Sequence, residues 1–182
     1  VLNVLQAIDT DELIGDEERA KHALLLSMAM DKNYIDRTDF EVLQPAIDYY
    51  EDNGSATDKL RTYYYQGRIY QNAGNNALAM ECFVNALDKG VESNDNLTKA
   101  RTLVAQSTIY YSLYELDNFI ETSIRAASYF KQEEKYSSYA NCLIKIINGY
   151  TLKDRPEDAL PYIDECKQML GAVNANSLKD FY

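Results

Sequence analysis

LRTYYYQGRIYQNAGNNALAMECFVNALDK, residues 60 to 89, decides the fold. Apolar residues recur at intervals of three and four through both halves, which is the period of an amphipathic helix. Asn75 stands between the halves as a start signal for the second. The stretch therefore predicts two helices joined by a tight turn. Gly67 lies inside the first, where glycine costs roughly 1 kcal/mol against alanine. A close approach between the two helices offsets that cost, and Gly67 and Ala79 are the small residues expected where they cross. Tyr63 is expected in the hairpin core. Tyr64 and Tyr65 are expected to face elsewhere, because neighbours on a helix do not share a face.

The same pattern returns along the chain. Counting from Leu60, Gly67 is eighth, Tyr70 eleventh, Ala79 twentieth, Phe83 twenty-fourth and Ala86 twenty-seventh. Forty residues on, those places hold Ser107, Tyr110, Phe119 and Ala126 in a unit opened by Ala100. Forty more give Ile147, Tyr150, Ala159, Ile163 and Cys166 after Ala140. Forty back from Leu60, Ala20 opens a unit with Ser27, Met30, Leu43 and Ala46. Such self-similarity marks a helical array. The reading is one domain, 1–182, of four hairpins at 20–54, 60–93, 100–135 and 140–172. VLNVLQAI within 1–15 reads as the second helix of an earlier unit, and 176–182 as the start of a later one, so the chain reads as a segment of a longer protein. Thr38 with Glu41 reads as a capping box, and Asp154-Arg155-Pro156 as a helix start. Pro45 and Pro161 fall inside second helices, on the outer wall. GAVNANS, 171–177, reads as a loop.

This ladder of small and large positions resembles the tetratricopeptide repeat family. The match is closest over 60–93, where Gly67, Tyr70, Ala79, Phe83 and Ala86 stand as the family has them; Tyr110, Ala126, Tyr150 and Ala159 continue it. Asp39, Phe119 and Ile147 depart from it. HEAT repeats, of similar period, do not explain the small-residue ladder. The resemblance implies an all-α, right-handed α-solenoid whose first helices line a concave groove. Long-period chains of this kind resemble proteins of Bacteroides-type bacteria, which implies the cell envelope or periplasm, with the cytoplasm as the other setting.

Composition excludes several functions. Lys and Arg total 18 against 29 Asp and Glu, a net charge of −11. That balance argues against nucleic acid and against adsorption to anionic lipid. The longest apolar cluster, ALLLSMAM at 23–30, is too short to span a membrane. Cys82, Cys142 and Cys166 form no C-x-x-C, and His22 is the only histidine, so neither a metal nor a cofactor is expected. No nucleotide-binding, metalloprotease or nucleophile-elbow motif occurs. The acidic runs at Asp11-Glu12 and Asp16-Glu17-Glu18 read as helix starts that complement the dipole.

One feature exceeds composition. The second place of successive units holds Lys21, Arg61, Arg101 and Asn141. By the resemblance this place faces the groove, so an acidic chain sets a basic ladder there. Arg68 and Lys145 extend it, with Tyr64 and Tyr111 as apolar walls. Pairing of the cations with Asp58, Glu17 or Glu18 is the competing reading. The family's carboxylate clamp needs lysine and asparagine at the fifth and ninth places, and those pairs are Leu24/Met28, Tyr64/Arg68, Val104/Thr108 and Ile144/Asn148, so the clamp is absent. The expected function is a non-enzymatic scaffold that binds an acidic peptide or a partner helix. The alternative is a sensory or regulatory input domain of a larger envelope or signalling protein. An enzyme of helical-hairpin type ranks third.

Overall fold

A computed structural model describes residues 1–179, with side chains described through residue 169. The fold is all-α. Among the described residues it comprises α1 (Leu2–Gln6), α2 (Asp16–Lys32), α3 (Gln44–Asn53), α4 (Ala56–Asn72), α5 (Asn76–Lys89), α6 (Asn96–Ser112), α7 (Leu116–Gln132), α8 (Tyr136–Leu152) and α9 (Pro156–Lys179). Helices pack against their neighbours in chain order, as in helical-repeat proteins. The chain divides into two compact units, Val1–Thr102 and Leu103–Tyr182. The division runs through α6, where the sequence carries no linker.

The register of forty is written into the turns. Tyr34, Gly74, Tyr114 and Asp154 all have positive φ, at 57°, 78°, 60° and 55°. Each follows a first helix of a unit. The next N–H reaches back to the carbonyl of the eleventh residue: Ile35 to Met30 at 3.0 Å, Asn75 to Tyr70 at 2.9 Å, Glu115 to Tyr110 at 2.9 Å, Arg155 to Tyr150 at 3.0 Å. The left-handed residue itself bonds the carbonyl three back. These are Schellman stops, which satisfy the last carbonyls of the helix. Glu134 makes the same stop between α7 and α8. The start signals act as expected at two turns: the Asn75 side chain accepts the Leu78 N–H, and α9 opens at Pro156. Ser55 and Asp58 form a reciprocal capping box at the head of α4.

In the first unit Leu60, Ala79, Phe83, Ala86, Leu43 and Ala46 are fully buried. Gly67 has its reason in Phe83 rather than Ala79: a Cβ there would lie 2.4 Å from Cε1 of that ring. In the second unit Phe119, Ser123, Ala126, Leu143 and Ile146 form the centre. Here the close approach is at Gly149, where a Cβ would meet Ile120 Cγ1 at 2.5 Å. Ile147, at the expected eighth place, is only half-buried, so α8 turns its glycine toward α7.

Several expectations are corrected. Tyr64 and Tyr65 are buried, whereas Tyr63 is half-exposed and donates to Glu51 at 2.6 Å. The aromatic neighbours share the core because their rings meet edge to face at 4.8 Å across the α4 surface. The Thr38–Glu41 box does not form. Arg37 holds Glu41 at 3.2 Å and Asp39 at 2.5 Å, and the Asp39 carboxylate accepts the Glu41 N–H. Residues 33–43 are thus a strap, pinned by Asn72 donating to the Arg37 carbonyl and by Phe40 set edge-on to Tyr70 at 4.9 Å. α3 starts only at Gln44, and Pro45 falls in its first turn, where a missing N–H costs nothing. Pro161 does lie inside α9, on an exposed face. α9 continues to Lys179 through GAVNANS, which holds one glycine and no proline. The expected start of a further unit at Asp180 lies outside the described residues.

Candidate functional site

In the first unit, α2, α3 and α4 enclose a cleft of about 270 Å³. Leu24, Leu25 and Met28 of α2 and Tyr49 of α3 supply its apolar lining, with Lys21 and Arg61 at the polar side. The i, i+3, i+4, i+7 spacing of Lys21, Leu24, Leu25 and Met28 puts all four on one face of α2. Leu24 is buried as the floor, Leu25 is 40% exposed, and Lys21 is exposed. Glu17 and Asp58 also line the cleft, and the Asp58 carboxylate is bound to the Ser55 hydroxyl and N–H.

The structure brings Lys21 and Arg61 to this one cleft and gives Arg61 a partner. Its Nε donates to Asp95 at 2.6 Å. Burial pushes the Asp95 carboxyl up, but the Thr98 N–H, the Thr98 hydroxyl and Arg61 together outweigh it and hold it below its usual value. The partner is not Asp58, Glu17 or Glu18, which the sequence offered, but a residue thirty-four positions on.

Arg68 is likewise engaged. Nε meets Asp31 at 3.3 Å, a second nitrogen lies 4.0 Å from Asp36, and Nη1 donates to Gln71 at 2.8 Å. It faces a cavity of only about 30 Å³ under the strap, room for a water and not for a peptide. Tyr64 is buried, its phenol pushed up to about 12 by that burial, and offers no wall to a ligand. Arg101 is half-buried, close enough to Tyr64 and Tyr65 to oppose the rise in their phenol pKa values.

In the second unit, Tyr111 and Lys145 meet through a shared ring. Tyr111 is 45% exposed, and its ring lies 5.1 Å from that of Phe119. Lys145 Nζ stands 5.7 Å from the same Phe119 ring. Its polar neighbours are Ser107 Oγ at 3.5 Å and Thr108 Oγ1 at 3.4 Å. Burial lowers the Lys145 pKa, with the nearby Cys142 acting the other way.

Lys21 and Arg61 line the α2–α4 cleft and Lys145 stands beside Phe119 in the second unit, while Leu25, Met28, Tyr49, Asp95, Thr108 and Phe119 complete the surroundings and were not singled out as site residues. Periodicity marked Leu25 and Met28 as helical; nothing local marked Asp95 as the partner of Arg61. Burial pushes the Cys82 and Cys142 thiols up to about 11, so they are protonated at neutral pH. His22 is buried and pairs through Nε2 with the Leu5 carbonyl at 2.8 Å, tying α1 to α2. Among the described residues no group of acidic, cysteine or histidine side chains is placed to hold a metal ion, and no helix is long and apolar enough to cross a membrane.

No known family profile matches the chain, and no curated protein matches it.

Proposed function

We propose that this chain is a non-enzymatic protein-interaction module of the tetratricopeptide kind, which takes an extended peptide or a partner helix. The observation that carries the reading is the cleft between α2, α3 and α4, with an apolar floor, an exposed leucine and an exposed lysine on one helix face. A peptide side chain fills such a floor while Lys21 meets a carboxylate at its edge. Arg61 orients Asp95 and the head of α6 rather than a ligand. The forty-residue recurrence of Schellman stops supports the repeat reading independently of residue type.

Selection of displayed peptides on the immobilised chain tests this. Peptides that carry an apolar residue near an acidic one are expected to enrich. Leu25→Glu and Lys21→Glu should each weaken the selected peptides at least tenfold at 0.15 M salt. No enrichment over a blocked surface, or equal binding by both variants, refutes the reading.

A further inference from the structure

Two cations of the proposed ladder that are drawn into the protein, Arg61 and Arg68, are held by carboxylates. Arg61 has Asp95 and Arg68 has Asp31 and Asp36, while Arg101, beside the neutral Tyr64 and Tyr65 phenols, makes no ion pair among the described residues. Within the second unit, Lys131 is paired with Glu165 and Lys153 with Asp117. Lys145 is half-buried and makes no ion pair among the described residues.

The neighbours of Lys145 define what is missing. Ser107 and Thr108 both spend their hydroxyl protons on the Val104 carbonyl, at 2.8 Å and 3.0 Å, so toward Lys145 they present lone pairs only. The contacts of 3.5 Å and 3.4 Å to those oxygens are long for an ammonium. The Phe119 face beneath adds a cation–π contact, weaker than an ion pair. At least one strong donor direction of the ammonium is therefore unspent. Thr108 is exposed, so the position is open from that side. The exposed Tyr111 ring lies 5.1 Å from the same Phe119 ring.

We propose that Lys145 is an anion seat, and that its occupant is the side-chain carboxylate of an aspartate or glutamate in a peptide whose apolar neighbour lies on Tyr111. Because Lys145 and Tyr111 both contact the Phe119 ring, they are spanned by about three residues of extended chain, roughly 10 Å. The peptide thus carries its acidic and its apolar residue two or three apart. The seat works at contact range. Beyond about 8 Å the acidic surface is screened at physiological salt and does not forbid an acidic segment. The inference rests on the interaction-module reading, at a site separate from the α2–α4 cleft.

The probes are terminally blocked nonapeptides with a central Asp and a Phe three residues on, their Asn counterparts, and sodium acetate. The Lys145 amine, followed by NMR of the reductively methylated protein, should shift with the Asp peptide and not with the Asn peptide. Lys145→Met should weaken the Asp peptide at least tenfold without lowering the thermal midpoint, since it removes a desolvated charge. Thr108→Asp, at an exposed position, supplies a carboxylate from the chain itself and should block the peptide while Lys145 remains. Equal binding by wild type and Lys145→Met overturns the seat but leaves the α2–α4 cleft intact, which Lys21→Glu reports separately. A shift saturated equally by acetate overturns the peptide as its occupant. No shift with any probe overturns both seat and occupant.

Discussion

Gly67→Ala adds one methyl group, and the bare helix scale makes it stabilising by about 1 kcal/mol. The packing makes it destabilising. The new Cβ would stand 2.4 Å from Phe83 Cε1, 2.6 Å from Cδ1 and 3.0 Å from Cζ. Carbon pairs rest at about 3.5–4.0 Å, so the ring must retreat by about an ångström. Phe83 is fully buried, with the Tyr64 ring centroid 6.2 Å away, so there is no open space to retreat into. Overpacking costs about 1–3 kcal/mol, and an off-rotamer ring about 0.5–1.5 kcal/mol within that. The net expectation for Gly67→Ala is a loss of up to about 2 kcal/mol; for Gly67→Leu the loss exceeds about 3 kcal/mol. Phe83→Leu removes the ring edge, so Gly67→Ala in that background should be neutral or stabilising. The double-mutant cycle then shows a coupling of about 2 kcal/mol. Urea unfolding followed by far-ultraviolet circular dichroism measures all four proteins. A stabilised Gly67→Ala, or a cycle additive within about 0.5 kcal/mol, refutes the reasoning, because either result means that 67 does not touch 83.

Tyr114 occupies the left-handed stop that Gly74 occupies one repeat earlier, and it is 65% exposed. Tyr114→Gly relieves about 1–2 kcal/mol of backbone strain against roughly 0.5–1 kcal/mol of added chain entropy, so a small gain in the urea midpoint is expected. Asp95→Asn should be destabilising at pH 7. Because the folded carboxyl is held below its ordinary value, that stability is present above the unfolded pKa of about 3.9 and is lost as pH falls through the folded one. The gap between wild type and Asp95→Asn, followed by urea unfolding across pH, should therefore narrow below about pH 4.

Much of the fold was legible because the repeat is periodic at two scales. Within a hairpin, Leu60, Ala79, Phe83 and Ala86 fall on the inner faces that the three-and-four spacing assigns, and all are buried. Along the chain, the four left-handed helix stops recur at the same shift of forty as the sequence pattern. What failed was local competition. Thr38 and Glu41 have the spacing of a capping box, but Arg37 is adjacent and a charge-assisted pair outcompetes a neutral cap. Tyr63, Tyr64 and Tyr65 could not be sorted by a helical wheel alone, because α4 packs on more than one side and two consecutive tyrosines are buried. Gly67 was rightly a contact position, but a glycine announces space without naming what fills it; Phe83 follows from rotamer and crossing geometry, which the spacing does not contain.

The site was less legible for a reason of a different kind. Helical spacing places cations on a face, but whether a cation is free depends on carboxylates brought in from other repeats. Arg61 and Lys145 look alike in sequence, both cations on the first helix of a unit. Asp95, thirty-four residues on, takes up the first, while the place beside the second holds the hydroxyls of Ser107 and Thr108. An ammonium half drawn out of water without an ion pair is a standing cost in the free protein. Methionine or glutamine would fill the same volume without that cost, so packing alone does not account for lysine at this place. Under the proposal, that cost is recovered when a carboxylate is brought to Lys145 beside the Phe119 ring.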